Sequence, residues 1–188
     1  MFDFHNHFTD INAFKYSAEL LPQNLTDNYD ITLVGKSEIG LDKRFVNRIS
    51  MDKQVEELKK MLLYANRNNI GISLHCVHAT ELMLKLLKEI TPNPFKTVWH
   101  GFNGSKETAQ ILFKLDVIVS INPKFNGNLT EIYNSNPLLV LETDYEGNSE
   151  NEYNTLLREH YLICSKQLGI PLIALEERCN ELKLAFKN

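Results

Sequence analysis

Leu138-Leu139-Val140-Leu141-Glu142-Thr143-Asp144 is the stretch of the chain that decides the fold class. Residues 138–142 form a short, mostly apolar run after a proline, which is typical of a buried strand. An acid, Asp144, comes just after that run. The same pairing of a short apolar run with a histidine or an acid recurs along the chain, with amphipathic stretches between the runs. This alternation predicts an α/β fold with a parallel sheet, either open or closed into a barrel.

Six segments are predicted to be strands because each is short, rich in β-branched or aromatic residues, and bounded by Gly, Asn or Pro. They are Phe2 to His7, Ile31 to Val34 or Ile39, Ile70 to His75, Thr97 to His100, Val117 to Ile121 and Leu138 to Glu142. Apolar spacing and capping residues predict the helices. These are Met51 to Arg67 after Ser50, Glu81 to Glu89 after Thr80, Lys106 to Leu115 after Ser105, Glu150 to Leu168 before Gly169, and Leu172 to Phe186.

Length and composition indicate an ordinary globular protein. The chain has 188 residues, of which 43% are hydrophobic and 23% charged, so residues 1–188 are interpreted as a single domain with a sizeable core. No apolar run reaches the ~18 residues of a membrane span. The N-terminus has no basic region followed by an apolar stretch, so we expect no signal peptide.

The cysteine count indicates the cellular compartment, and the net charge indicates which binding partners to expect. The three cysteines are Cys76, Cys164 and Cys179. An odd count without paired spacing fits reduced thiols in the cytoplasm better than a disulfide framework. The net charge of −4 means that the protein as a whole is not a polyanion binder. Any nucleic-acid contact must therefore be local, and the densest basic cluster is Lys43, Arg44 and Arg48.

Metal-binding residue types recur where the predicted strands end. His5 and His7 lie two residues apart at the end of the first strand, so they share a face. Later strands are followed or ended by Glu38, His75, His100 and Asp144. In a parallel barrel the carboxyl ends of the strands converge on one mouth, where active sites form. Four imidazoles and two carboxylates at such a mouth suit one or two divalent cations.

A single histidine at a strand end is more often a capping or surface residue, so the argument rests on repetition. Four of the six histidines end predicted strands. His160 lies inside a predicted helix beside Cys164 and is interpreted as a packing or surface residue. His78 lies in the turn after His75, and the sequence leaves open whether it faces the mouth and touches substrate.

Several segments resemble the TatD-like metal-dependent deoxyribonucleases, and they do so in order over nearly the whole chain. Leu141-Glu142-Thr143-Asp144 is identical to the family's L-E-T-D. Ser37-Glu38-Ile39-Gly40-Leu41-Asp42 resembles its G-E-I-G-L-D, with Ser37 in place of Gly. The other matching segments are Phe4-His5-Asn6-His7, Gln54 with its helix, Ile72-Ser73-Leu74-His75, His100-Gly101-Phe102-Asn103-Gly104, and Asn180 to Phe186. Gly40-Leu41-Asp42-Lys43 and His75-Cys76-Val77 are most similar to the family's short bacterial branch.

The resemblance implies a TIM-barrel-like metal-dependent hydrolase fold with a dinuclear site. One divalent cation would bind His5, His7 and Asp144, and the other would bind His75 and His100. Glu38 would bridge the two ions. The ions would be Zn, Mn, Mg, Co or Ni, and the substrate would be DNA or another phosphodiester.

Further roles follow from this expectation. Asp144 would accept the proton of the attacking water and, with Glu38, would be catalytic. Glu142 shares the face of Asp144 and would orient a ligand. Lys43 and Arg44 would either steer a phosphate or be solvated charges, and His78 is a further candidate for contact with ligands or substrate.

This sequence departs from the family pattern between His7 and Glu38, which only 30 residues separate. One or two strand–helix units are therefore expected to be missing, which predicts a shortened barrel. Two alternatives stay open. In the first, a catalytically divergent barrel acts on an ester or amide that is not nucleic acid. In the second, the protein is a binding subunit of a larger assembly, with protein partners that the sequence does not identify.

Overall fold

The computed structural model describes residues 1–6 and 39–187 of the chain. Five strands form one parallel sheet in the order β1-β2-β3-β4-β5. They are β1 (Ile39–Asp42), β2 (Ile72–Val77), β3 (Thr97–Trp99), β4 (Ile118–Ile121) and β5 (Leu139–Leu141). Because all five strands run in one direction, their carboxyl ends share one edge of the sheet.

Helices connect the strands, as parallel crossovers require. They are α1 (Met51–Asn68), α2 (Thr80–Glu89), α3 (Lys106–Phe113), α4 (Leu129–Ser135), α5 (Glu150–Leu168) and α6 (Leu172–Lys187). A short 3-10 helix, Lys43–Phe45, follows β1 directly. None of the helices described between residues 39 and 187 is long and apolar enough to cross a lipid bilayer.

The N-terminal residues extend the sheet beyond β5. The amide of Phe4 donates to the carbonyl of Leu141 at 3.1 Å, and the amide of Asp144 donates to the carbonyl of His5 at 3.0 Å. Residues 1–6 nevertheless form no regular strand, which corrects the predicted strand Phe2 to His7 within the described residues. The reason is that the amides of His5 and Thr143 bind the Asp3 carboxylate, at 3.2 and 2.9 Å, instead of backbone carbonyls.

One apolar cluster joins the sheet to its helices. The β4 and β5 side chains are buried throughout, as expected of strands covered on both faces. Phe4, Leu74 and Tyr161 are among the largest fully buried side chains. Gly40 pairs with His75 in the register of β1 and β2, and a Cβ at Gly40 would clash with the His75 carbonyl. Glycine therefore lets β1 approach β2 closely at the strand that carries His75.

Most predicted helix ends agree with the structure. Ser50, Ser105 and Ser149 accept hydrogen bonds from the first turns of α1, α3 and α5, and Gly169 ends α5 with a left-handed φ of 66°. Thr80 is not a cap, because α2 begins at Thr80 and its cap position is Ala79, without a side-chain hydrogen bond.

Three elements of the structure, the first of them the 3-10 helix Lys43–Phe45, were not predicted from the sequence. Helix α4 has only seven residues, too few for a clear apolar period. Strand β1 begins at Ile39, where the sequence suggested the end of an earlier strand. The predicted strand Ile31 to Val34 lies outside the described residues.

Candidate metal centre

Three side chains from distant parts of the chain meet at the carboxyl edge of the sheet. His5, His100 and Asp144 each offer a ligand atom, and these atoms all lie within 4.8 Å of one another. His5 comes from the N-terminal segment, His100 follows β3 directly, and Asp144 follows β5. The rings of His5 and His100 stack with centroids 4.3 Å apart. Parallel strands therefore bring together residues that the sequence separates by more than forty positions.

His75, on β2, joins this group through His100. Its Nδ1 lies 3.0 Å from Nε2 of His100, while its Nε2 lies 3.0 Å from Oδ2 of Asp42. The two imidazoles thus direct one nitrogen each at one another, and His75 directs its other nitrogen at a carboxylate. A histidine that binds a metal commonly donates its second ring N–H to a carboxylate in this way.

The Asp42 carboxylate is buried at the end of β1 and held by Arg44. The guanidinium donates from Nε at 3.0 Å to each carboxylate oxygen and from Nη2 at 2.5 Å, and the Arg44 amide donates at 2.8 Å. Burial alone would raise the pKa of Asp42, but the hydrogen bonds from Arg44 and His75 outweigh it and lower the pKa. Asp42 is therefore a fixed negative charge beside His75.

Glu142 lies near His100, at a longer distance than the one that separates Asp42 from His75. Its side chain is fully buried, and Oε1 accepts the Gly101 amide at 2.6 Å and lies 3.6 Å from Nδ1 of His100. Oε2 has no hydrogen-bond partner among the described residues. A buried carboxylate oxygen without a hydrogen bond from the protein ordinarily has a water molecule or a cation as its partner. The site can therefore accommodate a further polar group beside His100.

Asp3 connects the N-terminal segment to the turn after β5. Its carboxylate accepts the Thr143 amide at 2.9 Å and the Thr143 hydroxyl at 2.5 Å. Burial raises the pKa of Asp3 to about 7, although the hydrogen bonds from Thr143 oppose that shift. Asp3 therefore fixes the two backbone segments that carry His5 and Asp144.

Asp144 occupies a left-handed backbone conformation with φ 51°, which Asp tolerates better than most residues. Its Oδ2 is 3.5 Å from Nδ2 of Asn122 and 3.4 Å from Nζ of Lys124. Lys124 follows β4, and its side chain is 74% exposed. The mouth thus carries a solvated cation next to the candidate ligand Asp144.

The remaining predicted residues have varied positions. Glu38 and His7 lie outside the described residues. Lys43 is exposed on the 3-10 helix after β1. His78 is exposed, with φ 55°, in the turn after β2. His160 is a packing residue, because it is buried and its Nε2 donates to the Ile121 carbonyl at 2.8 Å.

Sequence reasoning assigned no role to several residues that contact the centre, namely Asp3, Asp42, Asn122 and Lys124. Asp42 ends the Ile39-Gly40-Leu41-Asp42 strand just as Asp144 follows β5, so the strand-end criterion would have identified it. Asp3 and Lys124 carry no comparable signal, because their contacts depend on pairing between remote segments.

The donor set fits a divalent cation. His5, His75 and His100 offer imidazole nitrogens and Asp144 offers a carboxylate oxygen, a mixture that suits Zn, Mn, Co or Ni. The ring nitrogens of His75 and His100 that face each other at 3.0 Å are close enough to bind one ion, since bonds from nitrogen to a zinc ion are about 2.0–2.1 Å long. The arrangement can therefore hold at least one cation.

The fold and the site define a class: a TIM-barrel-like α/β protein with imidazoles and carboxylates at the carboxyl ends of parallel strands. The sequence profile of the TatD related DNase family matches residues 18–162, more than half of the chain. The protein belongs to this family, which confirms the resemblance found in the sequence. The TIM-barrel-like fold class is confirmed by the parallel sheet and by the solved structures of similar fold. The match begins after His5 and His7.

Solved structures with the same fold include three hydrolase-type proteins. A TatD family hydrolase from Entamoeba histolytica has a TM-score of 0.64 at 17% identity, over 90% of this chain and 66% of that one. An uncharacterized amidohydrolase from Saccharomyces cerevisiae has a TM-score of 0.62 at 15% identity, over 87% and 68%. The TatD homolog YJJV from Escherichia coli K12 has a TM-score of 0.66 at 20% identity, over 88% and 68%. The chain thus spans about two thirds of the length of these structures.

Proposed function

We propose that this protein is a metal-dependent hydrolase that cleaves phosphodiester bonds, with DNA as the leading substrate. The observation that carries the proposal is the meeting of His5, His100 and Asp144 ligand atoms within 4.8 Å at the carboxyl edge of the sheet. Membership of the TatD related DNase family supports the choice of a phosphodiester over another bond.

We assign the metal ligands as His5, His7, Glu38, His75, His100 and Asp144, holding two divalent cations. Bound cations would supply Lewis acidity at the phosphoryl oxygens and lower the pKa of a water molecule. Asp144 is the carboxylate that we assign as acceptor of the proton lost by the attacking water, with Glu38 as its partner in catalysis. Glu142 orients His100 through the nitrogen that faces Oε1, 3.6 Å away.

Basic side chains on two sides of the mouth suit an anionic substrate. Lys43, Arg44 and Arg48 follow β1, and the guanidinium groups of Arg44 and Arg48 lie 5.8 and 5.7 Å from the Phe45 ring centroid. Lys124 follows β4 on the other side. Because Arg44 binds Asp42, we assign the exposed side chains of Lys43 and Lys124 as phosphate contacts, and His78 as a further substrate contact.

The proposal is tested with purified protein on single-stranded and duplex DNA, on bis-p-nitrophenyl phosphate, and on p-nitrophenyl acetate as an ester. We expect hydrolysis of the phosphodiesters that chelation abolishes and added Mn²⁺ or Zn²⁺ restores. His100→Ala and Asp144→Asn should each lower the rate at least 100-fold while leaving the circular dichroism spectrum unchanged. Glu146→Gln removes an exposed carboxylate near Asp144 and should leave activity intact.

Full metal-dependent activity in either ligand variant would contradict the ligand assignment. Cleavage of the ester alone would favour a non-nucleic-acid substrate. Absence of metal binding and of any hydrolysis would instead favour the role of a binding subunit.

A further inference from the structure

His75 and His100 share an arrangement at the centre of the site. In each imidazole one nitrogen faces the other ring, and these atoms, Nδ1 of His75 and Nε2 of His100, are 3.0 Å apart. The second nitrogen of His75 contacts the buried Asp42 carboxylate at 3.0 Å, whereas the second nitrogen of His100 lies 3.6 Å from the buried Glu142 carboxylate. The sequence predicts the orienting role of Glu142, but it assigns none to Asp42.

Asp42 is more firmly held than a surface carboxylate would be. Its side chain is 1% exposed, and every hydrogen bond described for it comes from a nitrogen donor on Arg44 or His75. Its backbone is held as well, because Gln54 accepts the Asp42 amide at 2.7 Å and donates to its carbonyl at 3.1 Å. Helix α1 and the 3-10 helix therefore fix the carboxylate at a defined place beside His75.

The hydrogen-bond geometry specifies which ring nitrogen carries the proton. A carboxylate that is ionised only accepts hydrogen bonds, so Nε2 of His75 must donate at the 3.0 Å contact with Asp42. In the neutral ring the proton on Nε2 leaves a lone pair on Nδ1. That lone pair points towards His100, where a cation would bind.

We propose that Asp42 is a positioning residue that holds His75 in the tautomer with the proton on Nε2 and so prepares Nδ1 as a metal ligand. The ligand role of His75 rests on the proposed function, whereas its tautomer in the metal-free protein does not. Arg44 supports this role of Asp42, because the hydrogen bonds from its guanidinium group keep the Asp42 carboxylate oriented towards His75.

The first test needs neither metal nor substrate. Long-range 1H–15N correlation spectra of metal-free protein at about pH 8, where an ordinary histidine is neutral, report the protonated ring nitrogen. A His75→Gln variant assigns the His75 signals. We expect a protonated Nε2 and an unprotonated Nδ1, and in Asp42→Asn a mixture of the two tautomers. A His75 ring protonated on Nδ1 in the unmodified protein would overturn the inference.

The second test measures affinity for Zn²⁺ alone by competition with a chromophoric chelator. Loss of a carboxylate that orients a ligating histidine typically weakens metal binding about 10–100-fold, and we expect that loss in Asp42→Asn. Asn retains the capping oxygen that serves the Arg44 amide, so the fold should persist. Glu146→Gln is the matched control for the loss of one negative charge and should bind as the unmodified protein does.

The two proposals fail in different ways. Unmodified protein that binds neither Zn²⁺ nor Mn²⁺ refutes the proposed function, and the tautomer still decides the assignment of Asp42. Unmodified protein that binds Zn²⁺ no more tightly than Asp42→Asn refutes the role of Asp42 and leaves the proposed function standing.

Discussion

Lys124 is an exposed cation at the mouth of the site. Its Nζ lies 3.4 Å from Asp144 and its side chain is 74% exposed, so the ion pair itself contributes little to stability. We expect Lys124→Met to raise KM for bis-p-nitrophenyl phosphate about 3- to 10-fold with a smaller change in kcat, because a phosphate contact worth about 1 kcal/mol is lost.

Steady-state kinetics at fixed ionic strength measure this effect, and Lys124→Arg should retain most of the affinity. Lys114 follows α3, which runs back to the opposite edge of the sheet, so Lys114→Met serves as the control. An equal rise in KM for both Met variants would argue for a general charge effect instead of a local contact.

We predict that the buried His160 makes the stability of the folded protein depend on pH. Burial lowers the pKa of this imidazole below its usual value, whereas the unfolded chain titrates near the ordinary pKa of about 6.5. The unfolded state therefore binds protons more readily, and His160 makes the protein less stable as the pH falls through about 6.5. Above that pH the ring is neutral in both states and contributes no pH dependence.

Urea denaturation at pH 7 and pH 5 of the unmodified protein and of His160→Gln tests this. The variant should lose less stability on acidification, because Gln keeps a donor for the Ile121 carbonyl but cannot be protonated. Identical losses in the two proteins would show that other groups dominate the acid side.

At the scale of elements, α1 supports the site through one buried side chain. Gln54 accepts the Asp42 amide and donates to the carbonyls of Asp42 and Ile49 at 3.1 and 3.0 Å. Gln54→Leu removes all three hydrogen bonds, of which the two to the Asp42 backbone are buried, and a buried group left without a partner costs about 1–3 kcal/mol. We expect a loss of about 2–4 kcal/mol in the free energy of unfolding.

Chemical denaturation measures that loss. The control is Gln110→Leu on the exposed face of α3, which should change the free energy of unfolding by less than about 0.5 kcal/mol. A stable Gln54→Leu protein would mean that water replaces the amide. Through these hydrogen bonds, helix α1 fixes the end of β1 that carries Asp42.

At the scale of the whole molecule, the N-terminal segment is part of the fold and not an appendage. Phe4 is fully buried, Phe2 packs against it with ring centroids 5.2 Å apart, and the hydroxyl of Tyr161 donates to the Phe2 carbonyl at 2.6 Å. Phe4→Ala should cost about 3–5 kcal/mol, the usual cost for a buried Phe.

The matched control is Phe113→Ala, whose side chain is 42% exposed and whose loss should cost much less. Denaturant midpoints compare the two variants. If Phe4→Ala cost no more than Phe113→Ala, the segment would be dispensable for folding, and the position of His5 beside Asp144 would need another explanation.

The fold class was readable from the sequence because its signals are local. A strand followed by an amphipathic helix is visible within a window of about fifteen residues, and Ser50, Ser105 and Gly169 mark helix ends by their own conformational preferences. The same local rules correctly placed Asp144 and His100 after strands, whereas His75, predicted to end its strand, lies two residues before the end of β2. These local rules did not predict helix α4, because its seven residues are too few to show a helical period of apolar residues.

Local patterns in the sequence are enough to identify a parallel α/β protein that resembles the TatD family, with histidines and acids at or near the ends of its strands. Which of those side chains meet depends on the three-dimensional fold. The Asp3–Thr143, Asp42–His75 and Lys124–Asp144 contacts join segments that are 140, 33 and 20 residues apart. Such contacts depend on strand register and on the left-handed turn at Asp144, which act through space, whereas hydrophobic periodicity reports only on neighbours along the chain.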